Sequence, residues 1–200
     1  NAIVEAVVVR CDLNGYSLWA RDKSLQSRAT LLDHFFSTIF NELETRGGIY
    51  FRDEGDCLVA LFSTYFDANF IHSKIEAFCT SVISRTYGAD LLTAKAIVSR
   101  GQVAIFQKNH EIGTNDWSAE GEPFVLAART EQAVESKQRI YYFQKDYDEY
   151  FNVASTWAPS GGTYYWSVSA ENIQIKGIGK AAGWVDFSVH EYIPNGRKKS

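Results

Sequence analysis

Asp12 and Asp56 are the two side chains of this 200-residue sequence best placed to act on one ligand together. Asp12 follows the apolar run IVEAVVVRC (residues 3–11), where the chain gives way to Leu13-Asn14-Gly15. Asp56 lies in the Glu54-Gly55-Asp56 corner between two short apolar runs. Two carboxylates on rigid elements suit a divalent cation, with substrate phosphates completing its shell. Taken singly, each is equally an ordinary turn aspartate. The surroundings favour a site, because the backbone N–H groups of Leu13 to Tyr16, in a turn opening a helix, can cradle a phosphate. Glu54 alternates away from Asp56 along its strand and is left out of the donor set.

The elements that must hold this pair can be read from periodicity. Residues 3–11 form a β-branched run and predict a buried strand. From 17 to 46, Leu25, Leu32, Phe35, Phe36, Ile39 and Leu43 recur at three and four, predicting an amphipathic helix closed by Gly47-Gly48. Residues 49–53 and 57–62 spell a hairpin around Asp56. A second helix is expected over 66–85. Strands are expected over 91–99 and 102–106, with Arg100-Gly101 as a turn, followed by a polar loop over 107–120. A third helix over 122–134 and a strand over 139–143 follow. The order β-α-β-β-α-β predicts an α+β, ferredoxin-like core: an antiparallel sheet with helices packed on one face. In that topology the first strand lies beside the hairpin, which brings Asp12 and Asp56 to one edge. Strands at 164–168, 171–176 and 184–192 are expected in the less regular part after 146. The whole of 1–200 reads as a single domain.

Composition narrows the ligand. Twenty Lys and Arg against 24 Asp and Glu give a net charge of −4, which argues against coating of nucleic acid while allowing a local basic pocket. Aromatic residues at 14% and only three prolines exclude a disordered chain. No apolar run approaches the roughly 18 residues of a membrane span, and no signal peptide is evident, so a cytoplasmic protein is expected. Cys11, Cys57 and Cys79 match no zinc spacing and read as small buried hydrophobes. His34, His72, His110 and His190 show no metal-ligand spacing either. Gly177-Ile178-Gly179-Lys180 has the wrong spacing for a nucleotide-binding P-loop.

Five segments, in order, resemble the class III nucleotide cyclases. Residues 9–17 (VRCDLNGYS) resemble the metal-binding start of their catalytic domain. Residues 48–62 (GIYFRDEGDCLVALF) resemble the central Gly-Asp hairpin. Residues 94–103 (AKAIVSRGQV) resemble the strand-turn-strand that follows, and 121–129 (GEPFVLAAR) the helix carrying an Asn-X-Ala-Ser/Ala-Arg motif. Residues 175–179 (IKGIG) resemble a late Lys-Gly-X-Gly turn.

The resemblance implies two divalent ions, Mg²⁺ or Mn²⁺, held by Asp12, Asp56 and the backbone carbonyl of Leu13. One ion would activate the ribose 3′-hydroxyl and the other would bind the triphosphate, so that the 3′-oxygen attacks the α-phosphorus and pyrophosphate leaves. Arg129 matches the transition-state arginine. Asn14, Gly15, Tyr16, Lys95 and Lys176 match phosphate-binding positions, with Lys180 and Arg100 as weaker candidates. The family's asparagine falls on Val125, a departure that removes a ribose contact. Tyr50, Arg52 and Ser118 occupy the base-reading positions. Arg52 departs from the purine pattern, and its donors suit the carbonyls of a pyrimidine, uracil before cytosine. This face resembles the pyrimidine cyclases of the bacterial anti-phage system called Pycsar. It implies cyclic UMP, less readily cyclic CMP, as an alarm signal sensed by a separate effector protein. It also implies a homodimer with two shared sites, each combining one protomer's aspartates with the other's Arg129. The competing readings are an adenylyl or guanylyl cyclase, a degenerate cyclase domain that binds nucleotide or dimerises, and a diguanylate cyclase, from which Glu54-Gly55-Asp56-Cys57-Leu58 departs.

Overall fold

The computed structural model describes residues 1–48, 50–64, 92–109, 115–134, 140–143, 162–163, 167–175, 177, 181–186 and 193–194. The helix expected over 66–85, Cys79, Lys176 and Lys180 lie outside them, as do three of the histidines.

β1 (Ala2–Asn14) is the expected buried strand, extended three residues past Cys11. Gly15, at φ 83°, turns the chain into the five-residue α1 (Tyr16–Ala20), and α2 (Leu25–Thr45) follows. The single helix expected over 17–46 is therefore two. The cause is local: the Ser24 hydroxyl accepts the Ser27 N–H at 3.1 Å and caps α2, fixing its start at Leu25. At the far end Gly47 adopts φ 64° and the Gly48 N–H donates to the Leu43 carbonyl at 2.8 Å, the glycine closure the sequence predicts.

β2 (Tyr50–Glu54) and β3 (Cys57–Phe62) form the expected hairpin. Its two-residue loop has positive φ at Gly55 (73°), which glycine supplies without strain. β4 (Thr93–Asn109), β5 (Asn115–Glu120), α3 (Glu122–Ala133), β6 (Ile140–Phe143), β7 (Gly162–Thr163), β8 (Ser167–Gln174), β9 (Ala181–Asp186) and β10 (Ile193–Pro194) follow. Arg100-Gly101 is no turn. β4 runs straight through it, because β1 pairs with it continuously from Ala2↔Ile105 to Asn14↔Thr93. The polar loop expected over 107–120 contains β5, which folds back on β4 from Ala104↔Glu120 to Asn109↔Asn115.

The main sheet runs β2-β3-β1-β4-β6-β9-β8, with β5 beside β4; β7 and β10 pair separately. Its segment β2-β3-β1-β4 has the ferredoxin-like order, and β1 is antiparallel to both neighbours. β4 and β6 form a parallel pair.

Helices pack on both faces of the sheet, not on one. α2 seats Leu31, Phe35, Ile39 and Leu43 against Val7, Val9, Cys11 and Leu13 of β1. On the other face α3 brings Phe124 and Ala127 against Ala6, Val8, Val59, Ile97 and Val103. The unalternating Val7-Val8-Val9 run follows from this, since both sides of β1 are covered. Cys11 and Cys57 are buried, as expected of small hydrophobes.

Gly121 sets how closely α3 approaches β4. A Cβ there would stand 2.5 Å from the Gln102 carbonyl oxygen and 3.2 Å from the Val103 Cα, both backbone. Gly121→Ala should therefore destabilise the fold by roughly 1–3 kcal/mol, read from the denaturant midpoint. An unchanged midpoint would show that β4 yields at no cost.

Candidate active site

Register brings the two aspartates together. Asp12 pairs with Cys57 across β1 and β3, so Asp56, one residue earlier in the hairpin loop, lies at the same end of the sheet. The Leu13 N–H donates to the Asp56 carbonyl at 3.3 Å and ties strand to loop. That N–H is therefore committed within the fold. Asn14 is buried, its amide donating to Thr93 Oγ1 at 3.1 Å, while Gly15 heads α1.

The carboxylates sit in surroundings that disfavour their charge. Burial, then the Asp56 and Glu131 charges, push the Asp12 carboxyl up to about 6; Lys95 and Arg10 oppose this only in part. Burial and Glu131 likewise raise Asp56, against a backbone hydrogen bond that favours its charge. Burial and the Asp56 charge raise the Tyr16 phenol, against the opposing charge of Arg28. Burial pushes the Cys57 thiol up to about 12, so it stays protonated.

Across from Asp12 in the β1–β4 register stands Lys95. It is not a solvated strand-end charge: it is 4% exposed, with Nζ 3.8 Å from Asp12 Oδ2 and 3.5 Å from the Glu131 carbonyl, to which it donates.

Arg10 and Glu131 were not singled out from the sequence. Arg10 precedes Asp12 by two residues on the same strand, hence on the same face. Its Nη1 pairs with Glu54 Oε2 at 2.5 Å and its Nε bonds Glu131 on α3. Burial works against the Arg10 charge, but these two carboxylates outweigh it and raise the pKa. Glu54 also holds Arg52 Nη2 at 2.5 Å. Burial alone would raise the Glu54 carboxyl; the two arginines outweigh it and lower the pKa. Both Glu54 oxygens are thereby engaged by arginines. The readable trace of Arg10 was a basic residue inside an apolar run.

The remaining expected residues are spread around this centre. Arg52 also has its guanidinium carbon 6.0 Å from the Phe124 ring. Ser118 is buried on β5, and Tyr50 lies in β2. On α3, Leu126, Ala127 and Thr130 are buried, while Arg129 and Val125, one turn apart, face outward, Val125 at 56% exposure. Lys176 lies outside the described residues; of its neighbours, Ile175 is buried and Gly177 adopts φ 83°.

The donor set fits hard divalent cations. Burial raises both carboxyls, and the Asp56 charge adds to the rise at Asp12; a divalent cation would relieve that cost, and oxygen ligands suit Mg²⁺ or Mn²⁺. Among the described residues no cluster of three ligating side chains occurs, so backbone, water and substrate oxygens would complete the shell. In metal-free protein the sign of the pH dependence follows. Asp12 holds its proton up to about pH 6 when folded and to its ordinary value of 3.8 when unfolded. Its contribution is full below about pH 4 and is lost as pH rises through 6. With chelator present, the denaturant midpoint should fall from pH 5 to 7 more steeply in the parent than in Asp12→Asn. Equal slopes would overturn this account.

No family model matches the sequence, and no curated protein matches it. Solved structures do. The adenylyl cyclase CyaB from P. aeruginosa superposes with TM-score 0.75 at 16% identity, covering 94% of this chain and 96% of its own. The guanylate cyclase domain of RhGC from Catenaria anguillulae, in complex with GTP, gives 0.72 at 13% identity over 93% and 98%. The guanylyl cyclase Cya2 gives 0.69 at 14% over 92% of each chain. The fold is that of a class III nucleotide cyclase catalytic domain.

Proposed function

We propose that the protein is a nucleotide cyclase that converts a pyrimidine nucleoside triphosphate, UTP before CTP, to its 3′,5′-cyclic monophosphate and pyrophosphate. The observation that carries the cyclase part of this reading is the junction of Asp12 and Asp56 at one end of the sheet, each with a raised pKa, on a cyclase fold. Two divalent ions, when bound there, would lower the pKa of the 3′-hydroxyl and neutralise triphosphate charge. Asp12, Asp56 and the Leu13 carbonyl would hold them. Asn14, Gly15 and Tyr16, with Lys95 and Lys176, would line the triphosphate path. Arg129 would meet the charge growing on the α-phosphate oxygens with a planar fork of donors. Its outward position on α3 suits a homodimer in which each site borrows Arg129 from the partner.

For the base, Arg52 would donate to uracil O2 or O4, with Tyr50 and Ser118 bounding the pocket. Such a product would serve as a signal in anti-phage defence, read by a separate effector, in a cytoplasmic setting. No described helix is long and apolar enough to cross a membrane. Val125 favours one rival, a domain that binds nucleotide without cyclising it, because an exposed valine offers nothing to a ribose hydroxyl.

A panel of ATP, GTP, CTP and UTP with Mn²⁺ or Mg²⁺, read by chromatography of cyclic product and by pyrophosphate release, tests the proposal. Cyclic UMP should dominate. A purine product would overturn the base assignment, and no product from any nucleotide would overturn the cyclase reading.

A further inference from the structure

Arg52, Glu54, Arg10 and Glu131 form an unbroken chain of alternating charge across β2, β1 and α3. The Glu54 carboxylate uses both oxygens, Oε1 for Arg52 Nη2 and Oε2 for Arg10 Nη1, each at 2.5 Å. Arg10 then bonds Glu131 through Nε. The inner end is the better shielded: the side chains of Arg10 and Glu131 are each 17% exposed, those of Glu54 and Arg52 34% and 40%. A pair between Arg52 and Glu54 alone would be a rim contact that water loosens. Long side chains at a rim retain much of their rotamer freedom. Here the second oxygen of Glu54 is held by an arginine that is itself fastened to a helix.

We propose that Arg10 is a positioning residue for Arg52, acting through Glu54 to hold the base-reading guanidinium in one discriminating orientation. This rests on the reading of Arg52 as the base contact. Ordering of Arg52 is then completed on folding and not on binding, which is how preorganisation sharpens recognition. The Phe124 ring backs the same guanidinium. Arginine is needed at position 10 because its fork reaches two carboxylates on different elements, which the point charge of a lysine does not.

The test reads binding without turnover, using 3′-deoxy-UTP and 3′-deoxy-ATP, which lack the attacking oxygen, with Mg²⁺. The readout is the ratio of their dissociation constants. Arg52→Ala should reduce the preference for the uridine nucleotide by about tenfold or more. Arg10→Met and Glu54→Gln should each lose at least half of that preference on a logarithmic scale, and Arg10→Lys should restore little. The double variant R10M/R52A should discriminate no worse than R52A alone, since residues acting through one another are not additive. E54Q keeps the side-chain shape at a partly exposed position and tests the same link if R10M fails to fold.

Parent-like ratios in R10M and E54Q, or losses that multiply in the double variant, would overturn the proposal while Arg52 stands. An unchanged ratio in R52A would remove Arg52 as base reader, and the proposal with it. A parent that binds neither nucleotide would overturn the nucleotide-site reading, an outcome distinct from both.

Discussion

Asp12→Asn should abolish cyclisation while leaving the metal-free fold at least as stable as the parent above pH 6. The activity loss follows from charge. Asn keeps the shape and an oxygen, but removes one of the two negative charges that would hold a divalent cation at the end of the β1–β3 pair. Metal stabilisation of phosphoryl transfer is worth several kcal/mol, so a fall of about 10³-fold or more in kcat/KM is expected. Stability should move the other way. A folded pKa of about 6 is the net effect of everything around Asp12, Lys95 included, and that effect disfavours the carboxylate. The neutral amide escapes the repulsion from Asp56 and Glu131, so functional charge and stability oppose each other here. Thermal melts with chelator should therefore give a melting temperature equal to or above the parent's at pH 7.5. Adding Mn²⁺ should raise the parent's melting temperature and leave the variant's unchanged. Retained cyclisation would sink the two-aspartate reading. Lost activity with a large drop in melting temperature would instead make Asp12 a structural ion-pair partner of Lys95. Asp56→Asn should behave alike, because burial and Glu131 raise its pKa in the same direction.

The meeting of Asp12 with Asp56 was legible because each of its parts is local. A β-branched run marks one strand, a glycine corner marks the hairpin, and the ferredoxin-like order places them side by side. The same locality misled at Arg100-Gly101. Those two residues spell a turn, yet pairing with all of β1 keeps β4 extended, a tertiary contact overriding a local preference. Ser24 carried a cap signal, but the apolar spacing of the flanking residues concealed the break it makes between α1 and α2. The face chosen by α3 had no local signal, since Val7, Val8 and Val9 are apolar on both sides and fit a helix on either. Ion pairs are harder still to read. Arg10 stands out within its run, but Glu54 and Glu131 lie far away in sequence, and nothing periodic links the three. Lys95 was readable only as a match to a phosphate-binding position; its place opposite Asp12 needed the register. Among the proposed base contacts only the type of Arg52 was readable; its fastening to Glu54 needed the fold.

Arg129→Ala should lower kcat by about 10²–10³-fold with little change in KM, and the loss should be repaired in trans by Asp12→Asn. The first part follows from where the fork acts. A donor aimed at charge that develops only in the transition state contributes little to substrate binding, and removal of one such group costs roughly this factor. α3 supports the residue without occupying it: Thr130 next door is buried and bonded to the Leu126 carbonyl at 2.7 Å, while Arg129 faces outward. Truncation should therefore leave the melting temperature within a degree or two of the parent's. The second part follows from symmetry. In a two-fold dimer with shared sites, a heterodimer of the two variants has one site lacking both groups and one site intact. Random exchange of equal amounts makes half of the dimers mixed, so total activity should return to about a quarter of the parent's. Each variant alone would stay inactive. If Arg129 instead served the aspartates of its own chain, every mixed site would still lack one group, and mixing would recover nothing. Co-expression with two different affinity tags, followed by tandem purification, isolates the mixed species and raises the expected value to about half. An inactive, verified heterodimer would rule out the shared site.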